Sequence, residues 1–171
     1  LAEAAFLTGV ERNADVVVLA SYAPLFARLG YAQWAPDMIW FNAAGCYGSP
    51  SYHVQKLYAR NMGEAVLDTF GGEKEAGRDG IYYSASISEK ERALIVKIVN
   101  AEEQKQDIRL ELPEEWRKGQ RVQATILTGE KKDACNSIGE PEKVAPFERE
   151  YENPEAVSLP PLSFAVLRME L

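Results

Sequence analysis

The stretch Met38-Ile39-Trp40-Phe41-Asn42-Ala43-Ala44-Gly45-Cys46-Tyr47-Gly48-Ser49-Pro50-Ser51-Tyr52-His53-Val54-Gln55-Lys56-Leu57-Tyr58-Ala59-Arg60-Asn61-Met62 decides how this chain folds. It opens on four apolar residues, Met38 to Phe41, bounded by Pro36 and Gly45. A run that short and that apolar predicts a strand buried on both faces, as in a parallel sheet. A helix then starts cleanly. Ser49 is placed to cap it, and Pro50 stands at the first helical position, where a missing N–H costs nothing. Val54, Leu57, Tyr58 and Met62 form one apolar stripe at helical spacing. Gly63 fits the left-handed position past the helix end. The reading is strand, loop, helix. A lone unit of this kind cannot bury both faces of its strand, so residues 1–62 read as the tail of a larger domain.

Upstream, Leu1 to Arg12 reads as a helix with a broad apolar face of Leu1, Ala4, Ala5, Phe6 and Leu7, broken at Asn13. Asp15 predicts a cap for a second short helix, Val16 to Ala20. Pro24, Gly30 and Pro36 make 21–37 irregular. Downstream the period changes from helical to two. Ile81–Ile87, Ala93–Val99, Ile108–Leu112, Arg121–Leu127, Val144–Tyr151 and Leu162–Leu171 alternate as strands. Turns at Gly71-Gly72, Glu89-Lys90-Glu91, Asn100-Ala101-Glu102 and Lys118-Gly119 separate them. One face of each strand is polar, which favours an antiparallel two-layer β-sandwich, jelly-roll-like in class, over 63–171.

Charge divides at the same place. Residues 1–62 hold four acids (Glu3, Glu11, Asp15, Asp37) and four bases (Arg12, Arg28, Lys56, Arg60), so the net charge of −7 lies wholly in 63–171. An acidic chain without clustered Lys and Arg offers no surface for nucleic acid or an anionic membrane. No apolar run approaches a membrane span. Nothing after Leu1 reads as a signal peptide. One histidine, His53, and two distant cysteines, Cys46 and Cys135, give neither metal spacing nor a disulfide framework, and no cofactor is expected.

Ordered segments resemble one family, the glycoside hydrolase family 51 α-L-arabinofuranosidases. Ala2-Glu3-Ala4-Ala5-Phe6-Leu7-Thr8-Gly9-Val10-Glu11-Arg12-Asn13 resembles the helix after that family's nucleophile strand. Ala20-Ser21-Tyr22-Ala23-Pro24-Leu25-Phe26 resembles its next segment. Gln33-Trp34 and Pro36-Asp37-Met38-Ile39-Trp40-Phe41 are similar to the approach to its last barrel strand, and Gly48 to Leu57 to its last barrel helix. Asn136 to Val144 and Leu159-Pro160-Pro161-Leu162-Ser163 resemble its C-terminal sandwich. The resemblance is dense over 1–62 and sparser over 63–171. It implies the C-terminal end of a (β/α)8 catalytic barrel over 1–62, a structural sandwich over 63–171, and a retaining glycosidase that releases terminal arabinofuranosyl groups from plant polysaccharides or oligosaccharides. It also implies a homo-oligomeric parent enzyme. Both catalytic glutamates of such an enzyme would precede Leu1, so no catalytic residue is assigned within this chain.

Gln33 resembles a family glutamine that hydrogen-bonds bound arabinose, and a carboxamide suits sugar hydroxyls because it both donates and accepts. Trp34 offers a stacking surface, Trp40 and Tyr22 less so. Gln33 and Trp34 are therefore the candidate substrate-binding residues. Glu3 and Glu11 lie on a helix, where a salt-bridged structural role is favoured, because barrel chemistry sits on strand-end loops. Glu114 and Glu115 read as a solvated turn around Trp116, Lys131-Lys132-Asp133 as a mixed-charge loop, and His53 as a structural or exposed histidine. The rival reading is a non-catalytic carbohydrate-binding module, which would need an exposed aromatic row drawn from Tyr82, Tyr83, Trp116, Phe147 and Tyr151.

Overall fold

A computed structural model describes residues 1–69, 78–117 and 121–171. The predicted turns at Gly71-Gly72 and Lys118-Gly119 lie outside them. The chain runs α1 (Ala2–Arg12), β1 (Phe26–Arg28), β2 (Ile39–Asn42), β3 (Gly45–Gly48), α2 (Pro50–Arg60), β4 (Ala65–Leu67), β5 (Ile81–Ser88), β6 (Ala93–Asn100), β7 (Gln106–Ile108), β8 (Val122–Thr128), β9 (Phe147–Tyr151), β10 (Val157–Leu159) and β11 (Ser163–Glu170). The centre is an antiparallel six-stranded sheet in the order β4-β5-β6-β11-β8-β9. A two-stranded antiparallel sheet, β10-β7, accompanies it.

The central strands of the large sheet are covered on both faces, whereas the edge strand β9 is exposed at four of its five positions. Leu94, Val96, Ile98, Ala124, Ile126, Ala165, Leu167 and Met169 pack with Leu112, Val157 and Leu159 into one core. Ala93, Ile95, Val99, Leu127, Phe164 and Val166 pack with Ala4 and Leu7 of α1 and Val54 and Leu57 of α2 into a second. Over β5, β6 and β11 this corrects the expectation of a polar outer face, which β8 and β9 keep at Gln123, Glu148 and Glu150. The polar alternates Ser84, Ser86 and Lys97 are buried because the two helices lie over them. Strand β6 is buried at all eight positions.

The helices form for local reasons. The Ser49 hydroxyl accepts from the Tyr52 N–H at 3.3 Å, with Pro50 starting α2, and the apolar stripe of α2 faces the sheet. In α1 only Ala4, Leu7 and Thr8 are buried, while Phe6 stays 70% exposed. The chain turns at Asn13, whose side-chain amide donates to the Gly9 carbonyl at 2.8 Å. The short helix expected over Val16 to Ala20 is absent beyond a single turn. Val16, Val18 and Leu19 find nothing to pack against and are 75%, 91% and 82% exposed, so burial does not offset the cost of nucleating a helix. Gly63 does not take a left-handed conformation. It is required by close approach instead, since a Cβ there would stand 2.5 Å from the Ile87 carbonyl oxygen.

The small sheet departs most from expectation. Strand β2 forms where the apolar run predicts it, but it is not buried on both faces. Its residues are half-buried or exposed. It pairs in parallel with β1, which the irregular composition of 21–37 hides, and antiparallel with β3.

Candidate functional site

Residues 29–38 leave β1 and re-enter at β2. Both ends of this loop are pinned. The Leu29 N–H donates to the Phe41 carbonyl at 2.9 Å, the Met38 N–H to Pro24 at 3.2 Å and the Ile39 N–H to Leu25 at 2.9 Å. Gly30 turns the chain with φ +79°, a left-handed conformation that suits glycine, and the Tyr31 N–H closes the turn onto Arg28 at 3.0 Å. The Tyr22 hydroxyl reaches the Pro36 carbonyl at 3.5 Å. The bonds before Pro24 and Pro36 are cis. Between these ties Gln33 and Trp34 stand side by side and exposed, Trp34 at 67%. Beneath the end of the loop Asp37 is buried, and one of its carboxylate oxygens has no hydrogen-bond partner among the described residues.

The carboxylates of α1 do other work. Glu3 accepts from the Gln55 amide at 2.6 Å and ties α1 to α2. Glu11 accepts from the Lys97 ammonium and, at 2.5 Å, from the Ser84 hydroxyl. Arg12 donates to the Tyr83 carbonyl. The Lys97 ammonium also lies 5.2 Å from the Tyr58 ring centroid. That ring stacks on Phe164 at 5.1 Å, and its hydroxyl donates to the Ala4 carbonyl at 2.8 Å. Burial pushes Lys97 below the usual lysine range, with Glu11 opposing. Burial, then the Glu11 charge, pushes the Tyr58 hydroxyl up. This network went unread in the sequence, although a single lysine inside an otherwise apolar strand is a visible signal of a buried partner.

The remaining candidates separate. His53 sits in the first turn of α2, held below the usual histidine range by burial and then by Lys56, with Glu142 opposing. Cys46 and Cys135 are free thiols. Among the described residues no group of three His, Cys, Asp or Glu is placed to hold a metal. Of the five aromatics that a binding row would need, Tyr83, Trp116 and Tyr151 pack into the core facing β10 and β7, and Tyr82 into the core under the helices. Phe147 alone of these five counts among the exposed large hydrophobics.

Comparison with known proteins supplies the family. A family model described as the α-L-arabinofuranosidase C-terminal domain matches residues 1–163. The chain belongs to this family. It is 36% identical over 174 aligned residues to α-L-arabinofuranosidase 1 of Arabidopsis thaliana, covering 96% of this chain and 25% of that relative. An extracellular exo-α-L-arabinofuranosidase of Streptomyces chartreusis is 58% identical over 67 residues, 39% of this chain and 8% of its own. Among solved structures, an arabinose-bound family 51 α-L-arabinofuranosidase superposes with a TM-score of 0.85 at 28% identity, covering 98% of this chain and 26% of the other. The arabinose complex of the Thermotoga maritima enzyme, at 23% identity, shares the fold with a TM-score of 0.80 over 98% of this chain and 37% of its own. The chain therefore spans about a quarter of the Arabidopsis relative, which it matches nearly end to end.

Proposed function

We propose that this arabinofuranosidase-family chain is the C-terminal part of a retaining enzyme that releases terminal arabinofuranosyl groups from plant polysaccharides or oligosaccharides. Residues 1–62 then close a (β/α)8 barrel, and residues 63–171 form a sandwich that braces it. The observation that carries this reading is an apolar surface without cover in a chain that spans a quarter of its Arabidopsis relative. Val16, Val18, Leu19, Leu25 and Phe26 are all at least half exposed. So many large apolar side chains left open within one short stretch of chain suit a surface that another part of the protein covers.

The strand pairing refines the placement. A strand within a parallel barrel has parallel neighbours on both sides. Strand β2 has antiparallel β3 on one side, whereas β1 has β2 alone among the described residues, so β1 is the better candidate for the last barrel strand. The 29–38 loop then leaves the C-terminal end of a barrel strand, where barrel chemistry is built. Gln33 would hydrogen-bond the terminal sugar and Trp34 would pack against it. Retaining hydrolysis needs two carboxyl groups about 5–5.5 Å apart. On this reading both precede Leu1, no cofactor takes part, and the parent assembles as a homo-oligomer.

The test uses the full-length enzyme and an aryl α-L-arabinofuranoside. Gln33→Ala should lower kcat/KM about tenfold or more, because hydrogen bonds to sugar hydroxyls discriminate strongly. The 171-residue chain alone should give no turnover. Full activity in the variant, or hydrolysis by the isolated chain, would overturn the proposal.

A further inference from the structure

Asn136 lies in the segment between β8 and β9, on the sandwich side of the chain, and is buried. Val144 holds both ends of its side chain. The amide donates to the Val144 carbonyl at 3.0 Å, and the carbonyl accepts from the Val144 N–H at 2.7 Å. That closure fixes which end donates, and the amide also donates to the Gly48 carbonyl at 2.8 Å. Gly48 ends β3, and the Tyr52 ring lies so close that a Cβ on Gly48 would stand 2.3 Å from it. Across the ladder Gly48 faces Ile39, and the next residue, Ser49, donates its N–H to the Met38 carbonyl at 2.9 Å. Met38 closes the 29–38 loop, and its own N–H is tied to Pro24. A path of hydrogen bonds and one peptide link thus runs from the sandwich, through Gly48 and Met38, to the foot of the loop that carries Gln33 and Trp34. A carboxamide suits its first step, because a carboxylate would set an oxygen against two carbonyl oxygens.

We propose that Asn136 is a positioning residue, through which the sandwich sets where the Gln33-Trp34 loop stands. This rests on the reading of that loop as facing the terminal arabinose. It gives the sandwich a part in substrate binding without contact with the sugar.

A path through space is not yet a coupling, so the test is a mutant cycle on the full-length enzyme with an aryl α-L-arabinofuranoside. Partial unfolding lowers apparent kcat and leaves KM alone, whereas a displaced loop raises KM. Asn136→Ala should raise KM about fivefold, roughly one hydrogen bond's worth. Asn136→Asp, which keeps the acceptor for the Val144 N–H, should do the same. Glu11→Ala, which destabilises the fold away from this path, should leave KM unchanged. Asn136→Ala placed on Gln33→Ala should add little to the KM of Gln33→Ala, because the two act through one contact. An unchanged KM in both Asn136 variants would overturn the proposal, and so would effects that multiply in the double variant. Failure of the underlying reading looks different: Gln33→Ala alone would then leave KM and turnover intact.

Discussion

Strands β2 and β6 invert what their own sequences suggest. Residues Ile39 to Phe41 of β2 are wholly apolar, yet they lie half-buried or exposed. Strand β6 carries a lysine and an asparagine, yet all eight of its residues are buried. The difference is cover. Strand β6 lies between β5 and β11 in the plane, under α1 and α2 on one side and over the core of β7 and β10 on the other. Strand β2 is paired with β1 and β3 in its plane, and none of its four residues is fully buried. An apolar pattern reports what a strand needs, and packing decides what it receives. Lys97 can sit at the centre because Glu11 meets it, and Asn100 because its amide donates to the Gln104 carbonyl at 2.9 Å and the Pro160 carbonyl at 2.7 Å.

The strongest way to break this comparison is to remove the cover. A chain reduced to residues 63–171 would expose Ile95, Val99, Phe164 and Val166 and strand Lys97 without Glu11. It should lose its cooperative thermal transition and bind a hydrophobic dye, and calorimetry with dye fluorescence checks both. A sharp transition at the temperature of the intact chain would show that the helices are dispensable.

Next in size is the ion pair. Glu11→Ala should cost about 3–5 kcal/mol in urea unfolding, because it leaves a buried ammonium unpaired. Glu11→Gln combined with Lys97→Met should recover most of that loss, since a packed apolar replacement escapes the desolvation penalty. A double variant no better than Glu11→Ala would show that the pair contributes beyond mutual neutralisation.

Asn136 sharpens the comparison at the junction of the two regions. Its amide donates to the Gly48 carbonyl at 2.8 Å and the Val144 carbonyl at 3.0 Å, and its carbonyl accepts from the Val144 N–H at 2.7 Å. Asn136→Ala should cost about 1–3 kcal/mol in the same unfolding experiment, the penalty for buried groups left unpaired.

The smallest effect is at an exposed turn. Desolvation works to raise the Glu64 carboxyl, but hydrogen bonds from the Glu89 N–H and the Ser88 hydroxyl outweigh it and hold the group below its ordinary value of 4.5. A depressed carboxyl stabilises the fold above the unfolded value, and that contribution is lost as pH falls through the folded one. Acid titration of the melting temperature should therefore be slightly shallower below pH 4.5 in Glu64→Gln than in the wild type. Identical slopes would remove Glu64 from the account.

Much of this could be read from residue order alone. Alternation located β5, β6, β8 and β11 to within about two residues, because long strands repeat their period often enough to be seen. Ser49-Pro50 marked the start of α2, because capping is local chemistry. Short strands escaped: β1, β3 and β10 have three or four residues, too few for a period. The third layer also escaped, since no local pattern says that α1 will lie across β6. The nomination of Gln33 and Trp34 as substrate-binding residues came through family resemblance, and no local pattern supplies it.

Hydrogen–deuterium exchange of the 171-residue chain, followed residue by residue, tests the role of cover most directly. The amides of β6 should exchange last and together, at the rate set by global unfolding, while those of β2 exchange far sooner. Protection of β2 equal to that of β6 would contradict the account, because a half-buried apolar strand would then be as firmly held as one packed on both faces.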